Sequence, residues 1–183
     1  MADADFGDPV ALSEMLLDAG ACAVQLRAKT WSDEKVAQAL RQLLPRCQAA
    51  GVPLIVNDRA ALAHLADGLH LGQNDGPFPE NCGLKGRSTH DLEQLRAAMQ
   101  EGVDYVGFGP IYTTATKAEA GPGQGLAPLG KVLQQSRIPV VAIGGITLAR
   151  LPELRRSGVQ SWAVISAILG APDPLAAARA FHD

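Results

Sequence analysis

Aromatic side chains make up only 4% of this 183-residue chain, and cysteine occurs three times. No apolar run approaches the roughly 20 residues that a membrane-spanning helix requires, so no membrane anchor is expected. A net charge of −3 excludes general attraction to nucleic acid or an anionic membrane. Any anion must therefore be held by a local cationic site. Cys22, Cys47 and Cys82 form no Cys-x-x-Cys pair, which argues against zinc and predicts small buried thiols in a reducing cytoplasm. The acidic residues 1–8 lack the basic-then-apolar layout of a signal peptide, and a cytoplasmic chain is expected. What is abundant is apolar bulk: 47% hydrophobic against 19% charged residues predicts one buried core and a single domain over residues 1–183.

Apolar runs of strand length alternate with helical patterns along the whole chain. Strands are predicted at residues 22–27, 53–57, 68–71, 84–87, 104–109, 138–143 and 161–165. A helix is predicted over residues 8–19, with Pro9 in its first turn and Gly20 at its stop. Val36, Leu40, Leu43, Leu44 and Cys47 share a second helical stripe behind the N-cap Ser32, and Pro45 is expected to end or kink it. Further helices follow Asp91, Gly125 and Asp173. This alternation implies parallel βαβ units in an α/β (βα)8-type barrel. Only seven strands are visible, and a helix stands where a first strand should precede it. An eight-stranded barrel usually needs about 200 residues or more, so the first strand is expected to be lacking. The gap would then be left open or covered by a second copy of the chain.

Each predicted strand stops in a polar or glycine cluster, and in a parallel barrel those ends meet where catalysis takes place. Gln25, Arg27 and Lys29 alternate onto one strand face; unpaired cations there imply an anion, or else a carboxylate partner such as Asp58. Asp58 and Asp75 follow consecutive strands roughly 5 Å apart and could share a divalent cation of the Mg²⁺ kind. Asp58 could equally cap the helix after it. Gly144-Gly145 and then Ser166 after the next strand suit a backbone phosphate site, or simply a tight turn. Residues 111–125 read as a loop over a site. Of the four histidines, His64, His70 and His182 are expected to be structural, with His90 the exception.

The strings Gln25-Leu26-Arg27-Ala28-Lys29, Val56-Asn57-Asp58-Arg59, His70-Leu71-Gly72-Gln73-Asn74-Asp75, Gly86-Arg87-Ser88-Thr89-His90, Asp104-Tyr105-Val106-Gly107-Phe108-Gly109-Pro110, Thr114-Ala115-Thr116-Lys117, Ala142-Ile143-Gly144-Gly145-Ile146 and Ala163-Val164-Ile165-Ser166-Ala167-Ile168 occur in this order. Together they resemble the thiamine phosphate synthase family and its thiazole tautomerase relatives. The resemblance implies a TIM barrel that joins hydroxymethylpyrimidine pyrophosphate to hydroxyethylthiazole phosphate. Carbon–oxygen cleavage would run ahead of bond making, so charge stabilisation and positioning matter more than acid–base help. By resemblance, Asp58 and Asp75 hold Mg²⁺, while Arg27, Lys29, Asn57 and Lys117 bind the pyrophosphate. Gln25 would contact the pyrimidine, and Ser88 would lie near the reacting carbon. Thr114 and Thr116 would line the thiazole phosphate side, with Gly145, Ile165 and Ser166 closing on its phosphate.

Four departures from the family pattern are visible: the lacking first strand, a shortened stretch between Asp75 and Ser88, Asn74 in place of a glutamate, and Gln160-Ser161-Trp162 in the last strand. The shortening threatens the helix that the family normally has there and, with the lacking strand, puts barrel closure in doubt. Two other activities fit the same barrel. One is a tautomerase using His90, disfavoured because it has no pyrophosphate for the Asp58/Asp75 pair. The other is an impaired paralogue that binds thiazole phosphate or thiamine phosphate without turnover, motivated by the lacking strand and Trp162.

Overall fold

The computed structural model describes residues 1–114, 116 and 121–181. The chain divides into two units, one of Met1–Lys85 with Ile168–Asp183 and one of Gly86–Ala167. The first unit opens with β1 (Ala2–Asp3) and a single 3-10 turn, followed by α1 (Pro9–Asp18). Asp8 caps α1 by accepting from the Val10 amide, and Pro9 starts it with the φ a first turn needs. β2 (Val24–Arg27) lies parallel to β1, with Ala2 opposite Leu26 and Asp3 opposite Arg27. The first strand, expected to be lacking, is therefore present as two residues. It occupies the edge of β2 for which a second copy of the chain had been invoked.

α2 (Asp33–Ala49) is capped by Ser32 and carries Asp33 and Glu34 in its first turn, where they favour the helix dipole. Pro45 does not end it: the helix runs on to Ala49. Pro45 removes one hydrogen bond, but the stripe Val36, Leu40, Leu43 and Cys47 is fully buried and holds the helix on its neighbours. β3 (Leu54–Asn57), a 3-10 turn (Ala60–Leu65) and β4 (Gly68–Leu71) complete the first unit's parallel ladder. Its core is the apolar side chains of β2, β3 and β4 packed with α1 and α2, including Val24, Leu26, Leu54, Val56, Leu69 and Leu71. Between β4 and the next strand, residues 72–83 form turns and no helix, as the shortened stretch predicted.

β5 (Leu84–Thr89) leads into the second unit, where it pairs through Gly86 to Thr89 with β6. α3 (Leu92–Glu101) starts at the Asp91 cap and ends at Gly102, whose φ of +77° suits glycine at a helix stop. β6 (Tyr105–Phe108), α4 (Leu126–Gln135), β7 (Val140–Ile143), α5 (Leu151–Arg156) and β8 (Ser161–Ala163) follow. β6, β7 and β8 are again parallel neighbours. Val106, Phe108, Ala142, Leu95, Leu129 and Leu154 are the buried centre of this unit. Trp162 is accommodated: Arg155 lies over its ring at 5.3 Å. The chain closes with α6 (Ser166–Leu169) and α7 (Pro174–Ala180), the latter capped by Asp173.

Eight parallel strands in chain order, alternating with helices, are the (βα)8-type barrel class. Predicted strands were generally longer than observed at their N-terminal ends, as for residues 22–27 against Val24–Arg27. β5 extends beyond its predicted end to Thr89. Among the described residues, no helix is long and apolar enough to cross a membrane.

Candidate active site

Within the first unit, the ends of β2 and β3 frame an open cleft of about 230 Å³ lined by Ala28, Lys29, Asn57, Asp58 and Arg59. Asp58 directly follows β3 at φ +63°, the one described non-glycine residue with positive φ. Its amide donates to the His70 carbonyl, while the Arg59 amide donates to Asn57 and the Ala60 amide to Asp58. That tight turn, rather than a helix cap, sets the direction of the Asp58 carboxylate. The 3-10 turn that follows takes Arg59 as its N-cap position and has no side-chain cap.

Lys29 Nζ lies 3.5 Å from Asp58 Oδ2. Asp75 comes from the turn after β4, where the Gly72 amide donates to Asp75 Oδ2 at 2.6 Å. Burial pushes the Asp58 carboxyl above its ordinary value, the neighbouring Asp75 carboxylate and a hydrogen bond with it push further, and Lys29 opposes both. Two carboxylates this close repel unless a proton or cation sits between them. Among the described residues, no group of three or more His, Cys, Asp or Glu side chains is placed to hold a metal ion. Two carboxylates beside a cation-lined cleft suit a hard divalent ion that draws its other ligands from phosphate and water.

Arg27 and Gln25 occupy the same strand face, as alternation predicted. Arg27 is only 6% exposed and donates from Nη1 to Asp3 Oδ2 at 2.5 Å, with Asp5 at 3.7 Å. The carboxylate-partner alternative therefore describes both cations, Arg27 with Asp3 and Lys29 with Asp58. Pairing leaves capacity unused. Arg27 Nε and Gln25 Oε1 are buried and without a hydrogen-bond partner among the described residues, a state that protein interiors rarely tolerate.

The second unit presents a different construction. Gly144 and Gly145, directly after β7, have φ of +100° and +62°. A Cβ on Gly145 would lie 2.6 Å from the Thr113 carbonyl oxygen, so this turn requires glycine by contact as well as by φ. The Ile111 and Tyr112 amides donate to the Ile143 and Gly144 carbonyls. Arg150 Nη1 donates to the Gly145 carbonyl at 2.6 Å and its guanidinium stacks 4.4 Å from the Tyr112 ring centre. The Tyr112 hydroxyl donates to Glu153 Oε1 at 2.7 Å. Burial, then that hydrogen bond and the Glu153 charge, push the Tyr112 phenol up to about 12.

Thr114 and Thr116 lie within this same unit, joined by their hydroxyls at 3.3 Å. Ser88 is half-buried on β5, Ile165 is buried, and Ser166 is exposed at the start of α6. Lys117 and His182 lie outside the described residues, as does most of the 115–120 stretch of the predicted site loop. His90 hydrogen-bonds through Nδ1 to the Gly109 carbonyl at 2.5 Å, His70 is buried and His64 exposed. Cys47 and Cys82 are buried as expected, but Cys22 is exposed. The sequence reading missed Asp3, Arg150, Tyr112 and Glu153. It quoted Arg59 without giving it a task.

The family model described as thiamine monophosphate synthase matches residues 2–168. A thiamine-phosphate synthase of Synechococcus sp. (strain WH7803) is 45% identical over 178 residues, covering 93% of this chain and 50% of that protein. Another, of Anaeromyxobacter dehalogenans (strain 2CP-C), is 45% identical over 179 residues, covering 93% of this chain and 80% of its own length. The chain thus spans half the length of the first relative and most of the second. Among solved structures, a thiamine phosphate pyrophosphorylase from Pyrococcus furiosus superposes with a TM-score of 0.90 at 31% identity, covering 98% of this chain and 90% of that one.

Proposed function

The chain belongs to the thiamine monophosphate synthase family, and from that premise we propose that it is a transferase of thiamine biosynthesis, acting in the cytoplasm as one (βα)-barrel domain. It joins hydroxymethylpyrimidine pyrophosphate to hydroxyethylthiazole phosphate, giving thiamine phosphate and pyrophosphate. The observation that carries this reading is the Lys29–Asp58–Asp75 cluster at the charged cleft.

The methylene C–O bond breaks with its electron pair leaving on pyrophosphate, and the thiazole nitrogen lone pair forms the new C–N bond. No proton need move, so the site requires cations and alignment rather than a general base. Lys29 and Asn57 bind the pyrophosphate from the cleft, and the unused Nε of Arg27 adds a buried donor. Lys117 belongs to the same set. Gln25, whose Oε1 is buried and unpaired, orients the pyrimidine. Ser88 lies near the reacting carbon. Gly145, Ile165 and Ser166 hold the thiazole phosphate, with Thr114 and Thr116 beside them. Asp58 and Asp75 would hold Mg²⁺, which would offset charge on the leaving pyrophosphate.

The tautomerase alternative leaves Asp58 and Asp75 without a task. The impaired-paralogue reading loses its motives, because β1 is present and Trp162 is seated under Arg155. Pyrophosphate release from the two substrates with Mg²⁺ tests the proposal directly. Release that requires both substrates supports it; none with both substrates and Mg²⁺ would overturn it.

A further inference from the structure

Arg59 stands beside Asp58, yet its side chain reaches across to a different segment. Nη1 donates to Asp33 Oδ1 at 2.8 Å. Nη2 reaches the carbonyls of Ala28 at 3.3 Å, Lys29 at 3.1 Å and Trp31 at 2.8 Å. These acceptors span the connection from β2 to α2, the segment that carries Lys29. The same connection is folded on itself by the Trp31 amide donating to the Ala28 carbonyl. One guanidinium thus ties the segment bearing the cleft's cation to the turn bearing its carboxylate.

We propose that Arg59 is a positioning residue that presets the Lys29 ammonium against Asp58, so that magnesium pyrophosphate meets a cation and a carboxylate already at their working separation. The inference rests on the synthase reading and extends it to a cleft-lining residue whose guanidinium is engaged by the chain itself. The physical need is plain. The Lys29 side chain is 52% exposed, and a free lysine has many rotamers to lose when it grips a phosphate. Fixing its backbone removes part of that cost before the substrate arrives. Only a planar fork with several donors can satisfy acceptors spread this way; a lysine at position 59 is a single point charge. The Arg59 side chain is 27% exposed, so water can reach its partners when the side chain is truncated.

The test is a double-mutant cycle on pyrophosphate affinity, by calorimetry with inorganic pyrophosphate and Mg²⁺. Arg59→Ala and Arg59→Lys should each weaken binding by about threefold to tenfold. In a Lys29→Ala background the Arg59→Ala change should have little further effect, because its action passes through Lys29. Backbone amides of residues 28–32 should exchange faster in Arg59→Ala, and KM for the pyrimidine pyrophosphate should rise more than kcat falls. Additive losses in the cycle, full rescue by Arg59→Lys, or unchanged exchange would each overturn the positioning role. Wild-type protein that binds no magnesium pyrophosphate would overturn the synthase reading itself, a result separable from normal wild-type binding with an indifferent Arg59.

Discussion

The two units each carry candidate binding residues, and they hold them by different means. In the first, the candidate groups are charged side chains held by one another: Lys29 by Asp58, Asp58 by Asp75, Arg27 by Asp3. In the second, the corresponding place is a backbone turn, Gly144-Gly145, held by amides and by the Arg150 clamp on a carbonyl. The difference follows from the ligands proposed for each. A departing pyrophosphate changes its charge during the reaction, so charges must face it. A phosphate that stays intact needs only fixed N–H groups. Charge-built groups open to solvent, such as Lys29 and Asp58, should lose activity without losing the fold, whereas the buried Arg27–Asp3 pair and the backbone-built turn should lose stability as well.

The largest effect is expected from Asp58→Asn or Asp75→Asn. Either should lower turnover by about 10²–10³ while raising the melting temperature of the metal-free protein, since each removes a like-charge repulsion. Parallel thermal melts and pyrophosphate-release assays check both halves. A variant that loses stability along with activity would erase the contrast between the units.

Next comes Asp3→Ala, which strands the buried Arg27 charge and should destabilise the chain by about 3 kcal/mol in urea unfolding. Asp5, at 3.7 Å, is a candidate to recover part of this, so the Asp3→Ala/Asp5→Ala pair should be worse than either alone. Gly145→Ala should cost roughly 1–3 kcal/mol through its positive φ and the clash with the Thr113 carbonyl, and should raise KM for the thiazole phosphate with that for the pyrimidine pyrophosphate nearly unchanged. Equal rises in both would mean that Gly145 does not act on the thiazole phosphate selectively.

The smallest effect lies at alkaline pH. The Tyr112 phenol ionises near 10 when unfolded but is pushed up to about 12 when folded. Its contribution is therefore complete below pH 10 and is lost as pH rises from 10 towards 12. Tyr112→Phe should flatten that part of the stability curve and leave the remainder in place, as read by denaturation midpoints across the range.

How legible all this was in the sequence depended on the range of the interaction involved. Apolar runs closed by glycine or polar residues announced seven strands, because strand burial and strand ends are local properties. β1 escaped because two residues, one of them the charged Asp3, carry no alternation; only pairing with β2 makes them a strand. Pro45 misled for the opposite reason: the local rule was sound, but burial of Leu40, Leu43 and Cys47 outweighed it. Among the candidate residues, Asp58, Asp75, Lys29 and Gly145 were picked out by their strand-end positions, and the structure brings Lys29, Asp58 and Asp75 together. The Arg59 contacts, reaching 26 to 31 residues away, and the Arg150–Tyr112–Glu153 arrangement leave no mark in local pattern.

The left-handed turn at Asp58 has a consequence for anyone who evolves this chain in the laboratory. Glycine adopts that conformation freely and asparagine tolerates it better than most residues, so a library randomised at position 58 and selected for heat resistance should enrich those two. Selection for thiamine production from the same library should return aspartate alone. The two screens would pull one codon in opposite directions, and a stabilised descendant chosen by the first would inherit a well-folded chain without the carboxylate proposed to hold Mg²⁺.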